Sequence, residues 1–210
     1  MKERILKLLI LLVAAYAMSR AFDWPESLTY FTYLSNIFAA AVCAFQLFRP
    51  GEKAVLWKYA ATVSVIITFL VFLLVLAPMN RRGLMAAYAS SHWSSLCLHL
   101  IVPLLSVIDF ILIDAPHMHW QKKHIPLAML PPAVYYLYVL ILALRGYRWG
   151  RDAGPYFFLN YKGPAGWFGF VPEKNSIGVV YALLALMCAF FLVGWGLWGL
   201  ARRREKNRPC

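Results

Sequence analysis

Six long apolar runs, each near the length that crosses a bilayer, take up most of this 210-residue chain. Nothing else in it restricts the possible folds as strongly. About twenty residues of helix cross roughly 30 Å of hydrocarbon. Inside that layer the backbone must satisfy its own hydrogen bonds, which favours helices. The runs predict spans near 5–22, 28–48, 54–77, 93–114, 125–145 and 176–200. The expected fold is all-α: a polytopic membrane protein forming one six-transmembrane-helix bundle over residues 1–210. A hydrophobic fraction of 62% and a mean hydropathy of +0.62 point the same way.

The net charge of +12 raises the possibility of nucleic acid, but its distribution argues against that partner. Thirteen of the 21 basic residues fall on the side of the N-terminus, among them Lys2, Arg4, Lys7, Arg49, Lys58 and the tail Arg202 to Arg208. That excess matches the positive-inside rule and predicts both termini in the cytoplasm, in the inner (plasma) membrane if the chain is bacterial. A basic tail after a last helix suits anionic headgroups. Cys43, Cys97 and Cys188 lie inside predicted spans and Cys210 ends the tail, with no CxxC pair, so neither a disulfide framework nor a zinc ribbon is expected. The start of the chain resembles a signal peptide, with Ala15-Tyr16-Ala17 after a basic apolar run. A retained first helix is the expectation, since its loss would put the termini on opposite sides.

Two spans carry the same polar stripe. The second has Thr29, Thr32, Asn36, Cys43 and Gln46; the fourth has His92, Ser95, His99, Ser106 and Asp109. Both step by three, four, seven and three residues, which keeps each set on one helical face. Polar groups in hydrocarbon are costly and usually face the bundle interior or a wet cavity. Thr32 lies about 6 Å into its span and His99 about 9 Å into its own, both from the outer side. A hydroxyl needs an adjacent base to act as a nucleophile, and histidine is the commonest one. The pair could therefore run acyl transfer, with Asn36, Ser35 or Ser95 steadying the oxyanion or the imidazole. The structural alternative is a hydrogen-bond cluster that only holds helices together. Asp109 is about 15 Å along the helix from His99, too far to orient it, and is expected near the inner side, paired with Lys58 or protonated.

Other features are weaker. The loop 146–175 is long and rich in aromatics, Gly and Pro, including Asn160, and reads as a possible lid. His117, His119 and His124 with Asp114 could bind a metal, yet beside Lys122 and Lys123 they read better as a solvated loop, so no metal is assigned. Pro131-Pro132 predicts a break in the fifth span, with Tyr135, Tyr136 and Tyr138 after it. Trp195 and Trp198 read as interface anchors.

Tyr30-Phe31-Thr32-Tyr33-Leu34-Ser35-Asn36 resembles the F-T-x-x-S-N segment of the bacterial Pr6Pr membrane proteins. His99-Leu100-Ile101-Val102-Pro103 with Asp109 resembles their H-x-x-V-P-x-x-x-x-x-D helix. Phe158-Leu159-Asn160 resembles their Y-P-Y-P-F-L-D stretch, with Asn160 for Asp and Phe157 where a Pro often stands. That family is similar to the animal androgen-induced (FAR-17a-like) membrane proteins, intramembrane hydrolases of fatty acid esters of hydroxy fatty acids. The resemblance implies a Thr nucleophile at Thr32 and a His at His99, a lipid ester substrate among membrane lipids, and no cofactor. Two other readings stay open: a non-catalytic lipid-binding or scaffolding protein, and a proton-coupled transporter using Asp109 and His99. The missing internal repeat counts against the transporter.

Overall fold

A computed structural model of the protein describes residues 2–174 and 176–207. Arg208 and Cys210, expected in the basic tail, lie outside the described residues. Among those described, seven helices follow in order: α1 (Lys2–Ala21), α2 (Phe31–Phe48), α3 (Glu52–Met79), a short α4 (Leu84–Tyr88), α5 (Ser94–His117), α6 (Lys122–Leu144) and α7 (Val179–Lys206). A two-residue hairpin pairs Phe170–Val171 with Ser176–Ile177. The chain is all-α, and α2, α3, α5, α6 and α7 are long and apolar enough to cross a membrane. Helix α1 has similar length, but Arg4, Lys7 and Arg20 interrupt its apolar character.

The exterior is unlike that of a water-soluble bundle: large apolar side chains are exposed along the long helices, while polar ones are buried among the apolar core. Helix α5 buries Ser94, Ser95, Ser106 and Asp109, while its Leu104 and Leu112 are more than half exposed. Polar groups turned inward and leucines turned outward are the arrangement a hydrocarbon solvent requires. Helix α3 is the centre of the packing: it touches α2, α5, α6 and α7, and every residue from Lys58 to Val65 is buried. Helix α7 crosses at Gly194, whose carbonyl accepts the Tyr59 hydroxyl at 2.8 Å. A Cβ there would come within 2.7 Å of the Ala128 methyl, so the close approach depends on glycine. The start of α1 and the end of α7 meet the same end of the bundle, since Lys7 reaches Asp114 and Glu205 reaches Trp120 near the α5–α6 turn. This basic end also holds the α2–α3 turn.

Three π-helical turns interrupt the α-helices: Phe72–Leu76, Cys97–Ile101 and Phe110–Asp114. Each ends two residues before a proline, namely Pro78, Pro103 and Pro116. A proline offers no N–H, and its ring crowds the carbonyl four residues back, so the preceding turn widens. The prolines thus dictate where α3 and α5 open.

Several sequence expectations need correction. Helix α2 starts at Phe31, so Thr29 is not part of its stripe: it closes the 3-10 turn Glu26–Thr29, and its hydroxyl accepts Trp149 Nε1 at 2.7 Å. His92 is likewise off the α5 stripe. It is exposed in a turn where Ser91, His92 and Trp93 have positive φ, and α5 begins only at Ser94. The break predicted at Pro131-Pro132 is present and takes a specific form: residues Lys122–Met129 form a 3-10 stretch, and the prolines open the α-helical part at Leu130, where missing N–H groups cost little. Trp198 is buried and donates to the Gln121 carbonyl at 3.1 Å, while Trp195 is exposed on the outer surface.

Candidate functional site

Thr32 stands in the first turn of α2, and His99 sits in the middle of the π turn that Pro103 imposes on α5. Thr32 Oγ1 and His99 Nε2 are 3.3 Å apart. His99 Nδ1 lies 2.9 Å from the Ser95 carbonyl and 3.2 Å from Ser95 Oγ. A carbonyl can only accept, so a neutral imidazole keeps its proton on Nδ1. Nε2 then presents its lone pair to the Thr32 hydroxyl, which is the tautomer a general base needs. Phe72 covers a face of the imidazole, its ring stacked on it with centroids 4.0 Å apart and planes at 22°. Phe72 opens the π turn of α3, and Tyr88 packs behind it at 4.9 Å.

Asn36, Ser35 and Ser95 divide their roles. Asn36 is fully buried, and its Nδ2 donates to the Thr32 carbonyl at 2.7 Å and the Leu98 carbonyl at 3.2 Å. Both amide hydrogens are therefore engaged in tying α2 to the widened turn of α5, and neither faces a substrate. Ser35 donates to the Thr32 carbonyl at 3.1 Å and meets Thr68 Oγ1 at 2.8 Å. These contacts hold the backbone on which Thr32 stands, and Ser95 holds the imidazole.

Two cavities meet at Thr32. One, of about 290 Å³, is apolar and lined by residues such as Ile67, Val71, Leu186 and Phe190. The other, of about 470 Å³, is more open and holds His99, Ser90, Ser91 and Ser95. Thr32, Leu76 and Tyr156 line both. Volumes of this order suit small or chain-like ligands. Tyr156 comes from the loop 146–175, which folds over this end of the bundle: Phe158 and Leu159 complete the apolar cavity, and Trp149 is pinned to Thr29. Asn160 shapes the loop from within, accepting the Ala153 amide at 3.1 Å and donating to Asp152 at 2.7 Å. Tyr156 lines both cavities beside Thr32, and burial pushes the pKa of its phenol up, which keeps it a hydrogen-bond donor.

Asp109 lies apart from this site. It is fully buried between Lys7 and Lys58, each at 2.9 Å. Lys7 also reaches Asp114 at 3.1 Å, Gln46 donates to Asp114 at 3.1 Å, and Lys58 donates to Cys43 Sγ at 2.8 Å. Cys43 and Gln46 of one stripe and Asp109 of the other thus join an ionic cluster, as the Lys58 pairing anticipated, with Lys7 of α1 as a member that the stripes did not reveal. The histidines around the α5–α6 turn disperse: His119 meets Glu205 at 2.6 Å and His124 accepts the Gln121 amide at 3.3 Å, while His117 lines a separate cavity.

Sequence reasoning missed Phe72 and Tyr156. The signal for Phe72 was present in Pro78, six residues later, since each proline of this spacing widens the turn before it. No family model matches the chain, and neither a curated protein nor a solved structure matches it.

Proposed function

We propose that this chain is an intramembrane lipid-ester hydrolase with a threonine nucleophile and a histidine base. The observation that carries the reading is the ordered relay from Thr32 Oγ1 to His99 Nε2 and from Nδ1 to the Ser95 carbonyl, at the junction of an apolar and a more polar cavity. The 3.3 Å separation is slightly beyond the working range of about 2.6–3.2 Å, as is common before substrate binds. An acyl chain fits the apolar cavity, and the alcohol portion of the ester fits the open one.

In the first step Thr32 Oγ attacks the ester carbonyl carbon while its proton passes to His99 Nε2. Collapse of the tetrahedral intermediate breaks the bond to the alcohol oxygen, which takes the proton back from Nε2. Water then repeats the sequence on the acyl-threonine ester, releasing the fatty acid and restoring Thr32. With Asn36 committed elsewhere, Tyr156 is the donor best situated for the oxyanion. The resemblance to the Pr6Pr and androgen-induced proteins supports the same pair and suggests esters of hydroxy fatty acids as substrates.

The proposal includes α1 as a sixth span and both termini in the cytoplasm. Ile5, Leu8, Leu9 and Leu12 form an outward apolar face on α1, and Lys7 is neutralised by Asp109 and Asp114. The basic end would be the inner one. A rival reading, a lipid-binding protein without turnover, draws on the absence of a carboxylate from His99 Nδ1, which meets a backbone carbonyl. Purified protein incubated with long-chain fatty acid esters of hydroxy fatty acids separates the two: release of free fatty acid that disappears in Thr32→Ala and His99→Ala supports hydrolysis. An intact lipid recovered with no product favours the rival.

A further inference from the structure

At the basic end, far from Thr32, α1, the α2–α3 turn and the end of α5 enclose another cavity, of about 430 Å³. Its lining includes Arg4, Lys7, Gln46, Glu52 and Asp114. Gln46 is nine-tenths buried and its Oε1 has no hydrogen-bond partner, although Nε2 donates to Asp114 Oδ1 at 3.1 Å. A buried carbonyl without a donor is costly, so the position calls for a ligand that supplies N–H or O–H.

Asp114 has capacity in the same place. Lys7 approaches its two oxygens at 3.1 and 3.2 Å, and Gln46 takes a second position on Oδ1. A carboxylate offers about four acceptor positions, which leaves one on Oδ2. Glu52 adds an exposed carboxylate at the rim. Three residues with acceptor capacity thus line one cavity, and a primary ammonium has three N–H donors.

The cavity also has an anion-binding side. Helix α3 starts here with Gly51 at its N-cap and no side chain capping its first amides, and Arg4 lines the same cavity. Free amides and the helix dipole favour a phosphate. Across the cavity and the ion pairs beneath it, Arg4, Lys7 and Lys58 balance Glu52, Asp109 and Asp114, three charges against three. A neutral surround fits a ligand whose own charges cancel. The apolar stretch of α2 ends at Phe48 and that of α3 begins at Ala54, so the cavity lies at headgroup depth.

We propose that this cavity is a lipid-headgroup site for a phospholipid carrying both a phosphate and a primary ammonium group. The phosphate sits at Arg4 and the α3 N-terminus, and the ammonium sits among Gln46, Asp114 and Glu52. A choline headgroup has no N–H to give Gln46, and a glycerol headgroup leaves the phosphate charge unbalanced. The site stands whether or not Thr32 turns over an ester.

Native mass spectrometry of the full chain tests this. The protein in detergent is equilibrated with equal amounts of phosphatidylethanolamine, phosphatidylcholine and phosphatidylglycerol of matched chains. Phosphatidylethanolamine should be retained about tenfold over the other two, a difference in Kd that one lost hydrogen-bonded contact accounts for. Gln46→Met keeps the length of the side chain without the acceptor and should abolish the preference. Glu52→Gln, at an exposed position, should weaken it. Equal retention of the three lipids overturns the proposal. So does a preference for phosphatidylglycerol, or displacement of all three by inorganic phosphate alone, since either marks a simple anion site. A preference that survives both substitutions overturns it as well.

Discussion

The buried ionic cluster gives a sharp stability test. Asp109 is fully buried with Lys7 and Lys58 each 2.9 Å away, and Lys58 is fully buried too. With Asp114, the four charged groups sum to zero. Asp109→Asn leaves the cluster at +1 and Lys58→Met leaves it at −1. Removing one partner of a buried pair costs about 3–5 kcal/mol, because the remaining charge has lost both water and its counter-ion. The double variant Lys58→Met with Asp109→Asn returns the cluster to zero, with Lys7 still bonded to Asp114 at 3.1 Å. It should fall short of the summed single effects by about 3 kcal/mol or more. Thermal unfolding in detergent, followed by tryptophan fluorescence, is the assay, with each single variant lowering Tm by about 6–20 °C at roughly 2–4 °C per kcal/mol. Additive losses would refute the reasoning, as would single variants within about 1 kcal/mol of the parent, because the groups would then not be a coupled, desolvated unit.

Further outcomes follow from the site. Tyr156→Phe should lower kcat by about 10²–10³-fold if the phenol donates to the oxyanion, and because burial holds it protonated the deficit should stay constant from about pH 6 to about pH 9; a rate within about twofold of wild type removes Tyr156 from the mechanism. Phe72→Leu keeps an apolar side chain but loses the stacked face, so it should cost up to about 10²-fold in turnover with little loss of fold, read by comparing ester hydrolysis with the melting curve. Gly154→Ala would drive a methyl into the Leu159 carbonyl and loosen the loop over the apolar cavity; faster cleavage by protease within 146–175 is the expected sign.

The legible part of this protein was its helices and its polar faces. Run length gave α2, α3, α5, α6 and α7, because hydrocarbon demands continuous apolar helices. Stripe periodicity brought Thr32 to His99, since inward polar groups at matching depth have few other partners. The stripes failed at their N-terminal ends. Thr29 and His92 fell off because a 3-10 turn and three positive-φ residues replace helix there, and periodicity carries no information about where a helix stops. Asn36 was on the right face, yet its amide is taken by carbonyls that the π turn exposes. Those π turns were written in Pro78, Pro103 and Pro116, which act on the turn before them rather than at their own position. Tyr156 was not singled out from sequence, because its place beside Thr32 depends on how the loop after α6 folds back over α2.

The central claim is that His99 activates the Thr32 hydroxyl. Labelling the purified, folded chain with a fluorophosphonate probe, and mapping the adduct by mass spectrometry of peptides, tests it directly. A single adduct on Thr32, absent in Thr32→Ala and at least about 10²-fold slower in His99→Ala, is the expected result. Folded protein that takes no label, or an adduct on Thr32 that forms equally fast without His99, would contradict it.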